Sequence, residues 1–408
     1  MSRVQWAALV AVLLVALLPL LTGAQPLDDA LITLRYARSL AEGAGFVFNP
    51  GEHVQGTTTP LFTILLAALH RLTGADLIPL SYLVACSCHL GGMIVLALAG
   101  ASCGFPWVGV AAAGLFGLAP IALNPVAGCM ETSFFILTVL VALSPVLPFA
   151  SRWRTLAAAA ALLTRPEGTL VVTLYALELI AVDRRLGFRR LLLLALLVIP
   201  WFTFATIYFG SPLPQSVHAK WSNRFLRPPL IPAEQFWYLL ISLPTAAPRI
   251  QLQSFVALPF GSLIATTIPL AISLAARRVM VLLVGAAVLM VCAVGGVALC
   301  RHSTAVRRLI LFAVLYVAAF CLARPPMFSW YLTPPLPILM LSFVAGSSIV
   351  GAFVARRAEP LLAATTLAFM IALSCWQSWR FLNAYPATVR VRGYQAAVES
   401  LGLQAQDP

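Results

Sequence analysis

Two adjacent carboxylates, in the stretch LDDALITLRYAR at residues 27–38, follow the first long apolar segment of the chain. The whole chain contains 13 acidic residues in 408, so neighbouring acids are unusual here. Apolar residues recur at spacings of three and four from Leu27 to Leu34, which predicts an amphipathic helix. Asp28 as N-cap and Asp29 in the first turn would suit the helix dipole. Because a cap needs only one acid, the pair also indicates acid–base chemistry or cation binding at a membrane surface.

The composition predicts an all-α polytopic membrane protein. The chain is 61% hydrophobic and 10% charged, with a mean hydropathy of +0.95. A soluble protein of this size cannot bury so much apolar surface. The net charge is +13, but the arginines fall in short clusters between apolar runs, which is the positive-inside pattern of membrane proteins. We therefore expect no nucleic-acid partner. The eight cysteines show no metal-binding spacing and are interpreted as core residues.

Counting about 20 apolar residues per crossing predicts about 11–13 transmembrane helices, with the N-terminus inside. Residues 1–382 would form a single transmembrane domain, and residues 383–408 a short outer tail without a soluble domain. The first extracytoplasmic loop, 23–77, would contain an interfacial helix from Pro60 to Leu72, and a second large outer loop would cover 210–235. The predicted spans and shorter helices are 5–22, 78–99, 107–123, 132–149, 155–164, 169–182, 191–209, 255–275, 279–299, 308–322, 333–354 and 360–380.

Two points of this topology stay open. Residues 5–22 could be a cleavable signal peptide instead of a retained helix, because a small-residue segment follows the apolar run. The span count between 236 and 322 depends on whether Phe236 to Leu243 belongs to a further crossing.

Polar residues beside apolar segments form further groups, which the topology places at or near the outer face. A charge at mid-membrane costs roughly 2.5–3.5 kcal/mol on insertion scales, so such residues usually face a cavity or a partner. Each group also has a purely structural interpretation: a solvated turn, an acid at a helix start, an ion pair across a break, interfacial snorkelling or an aromatic belt. The groups are residues 45–53, 128–133, 164–168, 210–220 and 330–335.

Taken together and in this order, the motifs resemble those of the bacterial GT-C membrane glycosyltransferases. The branch that they resemble most is that of the mycobacterial terminal arabinofuranosyltransferases. The sequence departs from related ones at Gln55, Gln215 and His218, where they often carry glutamate, asparagine and an aromatic residue. The motifs that carry the resemblance are Asp28–Arg38, Glu42-Gly43, Phe48–Glu52, Met130-Glu131-Thr132, Thr164–Gly168, Pro212-Leu213-Pro214 with Ala219-Lys220, and Trp330-Tyr331-Leu332.

The resemblance implies a GT-C fold with interfacial helices in the first extracytoplasmic loop. It also implies transfer of a sugar from a polyprenyl-phosphate donor to a hydroxyl of a glycan, lipid or protein acceptor. The reaction would take place at the outer face of a bacterial inner membrane, with inversion, since no second nucleophile is evident. Asp28 would be the general base and Asp29 would orient it or bind the acceptor.

The same resemblance assigns the other candidate residues. Lys220, assisted by Arg165 or Arg224 and with His218 nearby, would neutralise the donor phosphate as it leaves. The expected substrate-binding residues are Arg35, Tyr36, Glu131, Glu167, Trp330 and Tyr331.

No cofactor is expected, and three alternatives stay open. A divalent metal could be held by Asp28, Asp29 and Glu131, although there is no Asp-x-Asp motif. A lipid-linked-sugar flippase or transporter would also bury rare charges among many spans, but transporters tend to show internal repeats, and none is visible here. An inactive scaffolding relative is the remaining hypothesis.

Overall fold

The protein is all-α in every part that the computed structural model describes, namely residues 1–21, 23–144, 151–182, 184–216, 274–323 and 329–354. This confirms the predicted fold class. The predicted span at 360–380, nearly all of that at 255–275, the outer loop beyond residue 216 and the tail 383–408 lie outside the described residues. The helices are α1 Arg3–Leu20, α2 Asp28–Ala41, α3 Pro60–Thr73, α4 Leu77–Ser102, α5 Pro106–Leu118, α6 Pro120–Ala127, α7 Thr132–Leu143, α8 Ser151–Thr164, α9 Gly168–Val182, α10 Arg184–Phe209, α11 Leu274–His302, α12 Thr304–Ala323 and α13 Leu336–Val354, with a 3-10 turn at Ser329–Tyr331.

Among the described helices, α1, α4 and α10 are long and apolar enough to cross a membrane. The bent pair α5 and α6 would make a fourth span. The total of 11–13 crossings stays a prediction.

The apolar run predicted as one span at 107–123 is two helices, bent by 54°. Pro120 begins the second helix, after Ala119 has taken an extended conformation. A proline lacks the amide hydrogen that would continue the hydrogen bonding of α5, so the helix ends before it. Hydropathy alone does not detect such a break, because all of these residues are apolar.

Residues 23–77, which are predicted to be the first outer loop, contain the two predicted helices, α2 and α3. Leu27 is the N-cap of α2, so Asp28 and Asp29 are its first two helical residues and Asp28 is not the cap. Helix α3 begins with Pro60 and ends at Gly74, which adopts a left-handed conformation. Its buried face packs against α2, and this pair lies beside the start of α4.

Small residues bring neighbouring helices of the bundle into close contact. A Cβ atom on Gly109 of α5 would lie 2.3 Å from the carbonyl oxygen of Ala97 in α4. A Cβ atom on Gly295 of α11 would lie 1.9 Å from the carbonyl oxygen of Ser342 in α13. Close backbone approach at glycine is a common way for helices to associate within membranes.

A cluster of charged side chains joins four helices near the predicted inner face. Arg154 donates to both carboxylate oxygens of Glu178, and Arg308 forms an ion pair with the same carboxylate at 2.7 Å. The two arginines also donate to the last carbonyl groups of α7, those of Ala142 and Leu143. Helices α7, α8, α9 and α12 are thereby linked by charge-assisted hydrogen bonds, which are the stronger kind in proteins. Six of the cysteines are free thiols: Cys86, Cys88, Cys103, Cys129, Cys292 and Cys300.

Candidate functional site

Backbone hydrogen bonds place the Asp28-Asp29 pair beside the end of α6. The amide of Gln25 donates to Ala127 at 2.6 Å, and the amide of Leu27 donates to Gly128 at 3.1 Å. A Cβ atom on Gly128 would lie 2.7 Å from the side chain of Leu27, so only glycine permits this approach. Residues 100 positions apart in sequence therefore meet where α2 begins.

Glu131 lies at the start of α7, just after this meeting point, and Arg165 pairs with it. One terminal nitrogen of Arg165 donates to Glu131 at 2.9 Å, and the other donates to Glu167 at 3.0 Å. Arg165 is only 4% exposed and Glu131 5%. Arg165, in the break between α8 and α9, therefore lies buried at the N-terminal end of α7.

Aromatic rings surround the guanidinium group. Arg165 lies over the ring of Phe135 at 5.7 Å and over that of Tyr331 at 5.3 Å. Cations over aromatic faces are stabilised, more so where water is excluded. The carbonyl of Tyr331 accepts a hydrogen bond from Tyr316 at 3.0 Å, which anchors the 3-10 turn to α12. Trp330 is buried beside it, against the apolar cluster that includes α2 and α3.

The electrostatics of this cluster follow from its burial. Burial raises the pKa of Glu131; Arg165 opposes the shift, while Glu167 and Asp29 add to it. Burial by itself would lower the pKa of Arg165, but Glu167 and Glu131 together outweigh it and raise that pKa well above the usual range. Arg165 therefore stays charged, and a phosphate would have to share it with two carboxylates. Asp29 is half-buried and close enough to influence Glu131, whereas Asp28 is exposed.

Arg35 and Tyr36 tether the first outer loop to α2. The Arg35 side chain donates to the carbonyl of Phe48 at 3.0 Å. The Tyr36 hydroxyl donates to Val54 at 2.5 Å and accepts from the amide of Gly56 at 2.8 Å. Both residues lie seven positions after an aspartate of the pair, roughly 10 Å along the helix. Their part in substrate binding stays a prediction.

Two polar contacts in this region were not singled out as site features by the sequence. The hydroxyls of Thr33, Thr57 and Thr59 lie 3.0–3.3 Å from one another in a buried cluster, one turn after Asp29. Gln55 and Gln215 form two hydrogen bonds. The backbone amide of Gln55 donates to the side-chain oxygen of Gln215 at 2.7 Å, and the backbone amide of Gln215 donates to the backbone carbonyl of Gln55 at 3.1 Å.

The glutamine pair matters because it brings the start of the second outer loop to the first. The three predicted phosphate-binding residues that follow it lie outside the described residues: Lys220, Arg224 and His218. The only sequence signal for the pair was that both positions depart from the pattern of related proteins.

The described residues contain no group of three or more histidine, cysteine, aspartate or glutamate side chains placed to hold a metal ion. Glu131, one of the three suggested ligands, is engaged by Arg165 at 2.9 Å. This arrangement does not fit a metal well, so we derive no step through one.

Comparisons with known proteins identify the architecture. No protein-family model matches the sequence, and no curated protein sequence matches it significantly. The crystal structure of ArnT from Cupriavidus metallidurans in the apo state is similar, with a TM-score of 0.50 and 16% identity, over 98% of this chain and 74% of that one. The Archaeoglobus fulgidus oligosaccharyltransferase in complex with Zn and sulfate gives a TM-score of 0.51 at 12% identity, over 91% of this chain and 53% of that one.

The chain has the GT-C fold. A second ArnT structure, bound to undecaprenyl phosphate, gives a TM-score of 0.47 at 15% identity, over 98% of this chain and 77% of that one, and the fold assignment rests on the other two. The TM-scores of 0.50 and 0.51 support the GT-C architecture, whereas identities of 12–16% do not establish an activity. This chain spans about half of the oligosaccharyltransferase. The arabinofuranosyltransferase branch stays a prediction.

Proposed function

We propose that this protein is an integral-membrane glycosyltransferase. It moves a sugar from a polyprenyl-phosphate donor to an acceptor hydroxyl at the outer face of a bacterial inner membrane. The observation that carries the proposal is the meeting of the Asp28-Asp29 pair with the buried Glu131–Arg165–Glu167 cluster, within a GT-C fold. Three segments remote in sequence converge there, namely residues 25–29, 127–131 and 165–167. A concentration of buried charge of this kind is typical of functional sites.

Asp28 is the proposed general base. It is exposed in the first turn of α2, where an acceptor hydroxyl can reach it. The acceptor oxygen attacks the anomeric carbon while Asp28 takes the hydroxyl proton. The bond between the anomeric carbon and the phosphate oxygen breaks, and polyprenyl phosphate leaves. A positioned base typically contributes 10²–10⁴ in rate, and a single displacement inverts the anomeric centre.

Asp29 has a different environment and therefore a different proposed role. It is half-buried and interacts electrostatically with Glu131. Its amide donates to the Asp28 carboxylate at 3.0 Å, so its backbone orients the base. We assign Asp29 to orienting Asp28 and binding the acceptor.

Negative charge develops on the departing phosphate, and a fixed cation stabilises it. Lys220 is the main proposed cation, with Arg224 and Arg165 assisting and His218 nearby. Gln215 supports this assignment, because it contacts Gln55 and precedes Lys220 by only five residues in the sequence. Arg165 is already paired with two glutamates, so its contribution to the phosphate is shared.

The decisive experiment is a transfer assay in liposomes with a panel of radiolabelled polyprenyl-phosphate sugars. We expect the wild type to transfer the sugar or hydrolyse the donor slowly. Asp28→Asn should lower the rate by about 10²-fold or more while donor binding is kept, since the base acts on the acceptor. Glu42→Gln is the matched control, because Glu42 is an exposed acid just after the end of the same helix.

Other outcomes would redirect the proposal. Full activity of both Asp28→Asn and Asp29→Asn would exclude the proposed base. Loss of wild-type activity with a chelator, and its return with a divalent metal, would restore the metal hypothesis. Donor binding without turnover in every variant would favour a flippase or an inactive scaffolding relative.

A further inference from the structure

Helix α6 ends in a Schellman motif, a helix-terminating pair of backbone hydrogen bonds. The amide of Met130 donates to Pro125 at 2.9 Å, and the amide of Cys129 donates to Val126 at 3.1 Å. In this motif the residue after the C-cap adopts a left-handed conformation and is usually glycine. Here it is Cys129, with φ of 59°.

Cys129 is the one non-glycine residue with positive φ among the described residues. A side chain in that conformation is unfavourable because its Cβ atom crowds the following carbonyl. Glycine would avoid the strain, so the turn is held by other contacts. Strained backbone that persists in a structure needs surroundings that enforce it, and it clusters at functional sites.

Helix α4 supplies those contacts. The Ser81 hydroxyl donates to the Cys129 carbonyl at 2.7 Å, and both residues are fully buried. The Cys129 thiol lies 3.9 Å from the carbonyl of Ile78, one turn earlier on the same helix. Cys129 is therefore fastened to α4 through both its backbone and its side chain.

The two sides of this turn carry the two halves of the candidate site. Before Cys129, the carbonyls of Ala127 and Gly128 accept the amides that lead directly into Asp28. After it, Glu131 is two residues away and pairs with Arg165. Any shift of the turn therefore changes the distance between the aspartate pair and the buried glutamate.

We propose that Cys129 and Ser81 are positioning residues for the transfer reaction. They touch neither substrate nor donor; they fix the turn at 125–130, and the turn sets where Asp28 and Asp29 stand relative to Glu131. This inference rests on the proposed glycosyltransferase function. Displacements of about 1 Å at a reacting centre can cost 10²-fold in rate.

The test compares Ser81→Ala and Cys129→Gly with Cys88→Ala, which removes another buried thiol from α4 away from the turn. Cys129→Gly keeps the left-handed backbone accessible and keeps the carbonyl that Ser81 contacts, so this variant is expected to fold while it loses the thiol contact with α4. In the liposome assay, kcat should fall at least tenfold in the two turn variants, with KM for the donor within twofold of wild type. Cys88→Ala should match the wild type in both constants.

Hydrogen exchange provides a readout that does not depend on turnover. The amides of Gln25 and Leu27 should exchange at least tenfold faster in Ser81→Ala and Cys129→Gly, and at the wild-type rate in Cys88→Ala. Unchanged kcat and unchanged exchange in the turn variants, beside an active wild type, would overturn the inference. A fall in activity in proportion to the fraction of folded protein would also overturn it. An inactive wild type would instead refute the proposed function, and with it any catalytic role for these residues.

Discussion

Arg165 and Arg154 lie at opposite ends of α8; Arg165 pairs with the buried Glu131, and Arg154 pairs with the partly buried Glu178. Arg165 meets Glu131 and Glu167, and Arg154 meets Glu178. Bringing such charges out of water is costly, and the pairing offsets that cost only while every partner is present. The two clusters therefore make separate predictions, one for stability and one for its dependence on pH.

Glu178→Gln should destabilise the protein strongly. It would leave Arg154 and Arg308 without their shared carboxylate. Because Glu178 is only partly buried, the cost should stay below the value of about 3–5 kcal/mol that is typical of a fully buried ion pair that loses one partner. Glu42→Gln breaks the exposed pair with Arg38 and should cost at most about 0.5 kcal/mol. Thermal unfolding in a mild detergent, followed by intrinsic fluorescence, compares the two variants. Equal shifts in the two would contradict the structural role of the inner cluster.

Glu131 should make stability depend on pH in a defined direction. Burial raises its pKa above the usual value of 4.5, so the folded protein holds the proton more tightly than the unfolded chain does. At neutral pH the ionised carboxylate of Glu131 lowers the free energy of unfolding. This destabilisation disappears as the pH falls through the raised pKa toward 4.5. The wild type should therefore gain stability on acidification relative to Glu131→Gln, whose amide does not titrate. A constant difference between their unfolding midpoints across this range would refute the raised pKa.

At the scale of helices, close packing at glycine holds α11 against α13. A Cβ atom on Gly346 would lie 1.9 Å from the carbonyl oxygen of Val291, which is backbone and cannot move aside cheaply. Gly346→Ala should therefore destabilise the protein by about 1–3 kcal/mol, as overpacking usually does. Gly351→Ala, on the same helix with nothing within 4 Å of the added atom, should be neutral or stabilising by up to about 1 kcal/mol. Similar effects of both variants on thermal unfolding would argue against this helix contact.

At the scale of the whole molecule, the predicted orientation can be tested with truncated reporter fusions. A fusion of alkaline phosphatase after residue 74 should be active, because the first loop is expected outside the membrane. A fusion of green fluorescent protein after residue 150 should fluoresce, because the basic turn that begins α8 is expected inside. The reverse pattern would place Asp28 and Asp29 on the cytoplasmic side and would remove the proposed donor site.

Local patterns in the sequence were enough to predict several elements. Hydropathy indicated the all-α membrane class, which is confirmed, and the spacing of apolar residues indicated the helix α2. The position of Asp28 as N-cap was wrong by one residue, because Leu27 is the cap. These features depend on residues a few positions apart, so the sequence contains the information directly. The interfacial helix predicted from Pro60 to Leu72 is α3 for the same reason.

The tertiary structure alone decided which remote residues meet. Glu131 and Arg165 are 34 positions apart, and neither spacing nor composition specifies that the break after α8 brings them together. The left-handed conformation of Cys129 could not be predicted, because a glycine usually marks the end of a helix and none stands at that position. The hydrogen bonds that join Tyr36 to Val54 and Gly56 were likewise not indicated by the sequence, and the part of Tyr36 in substrate binding stays a prediction. Periodicity defines the buried face of a helix, but the partner of a buried charge is set by how the helices pack.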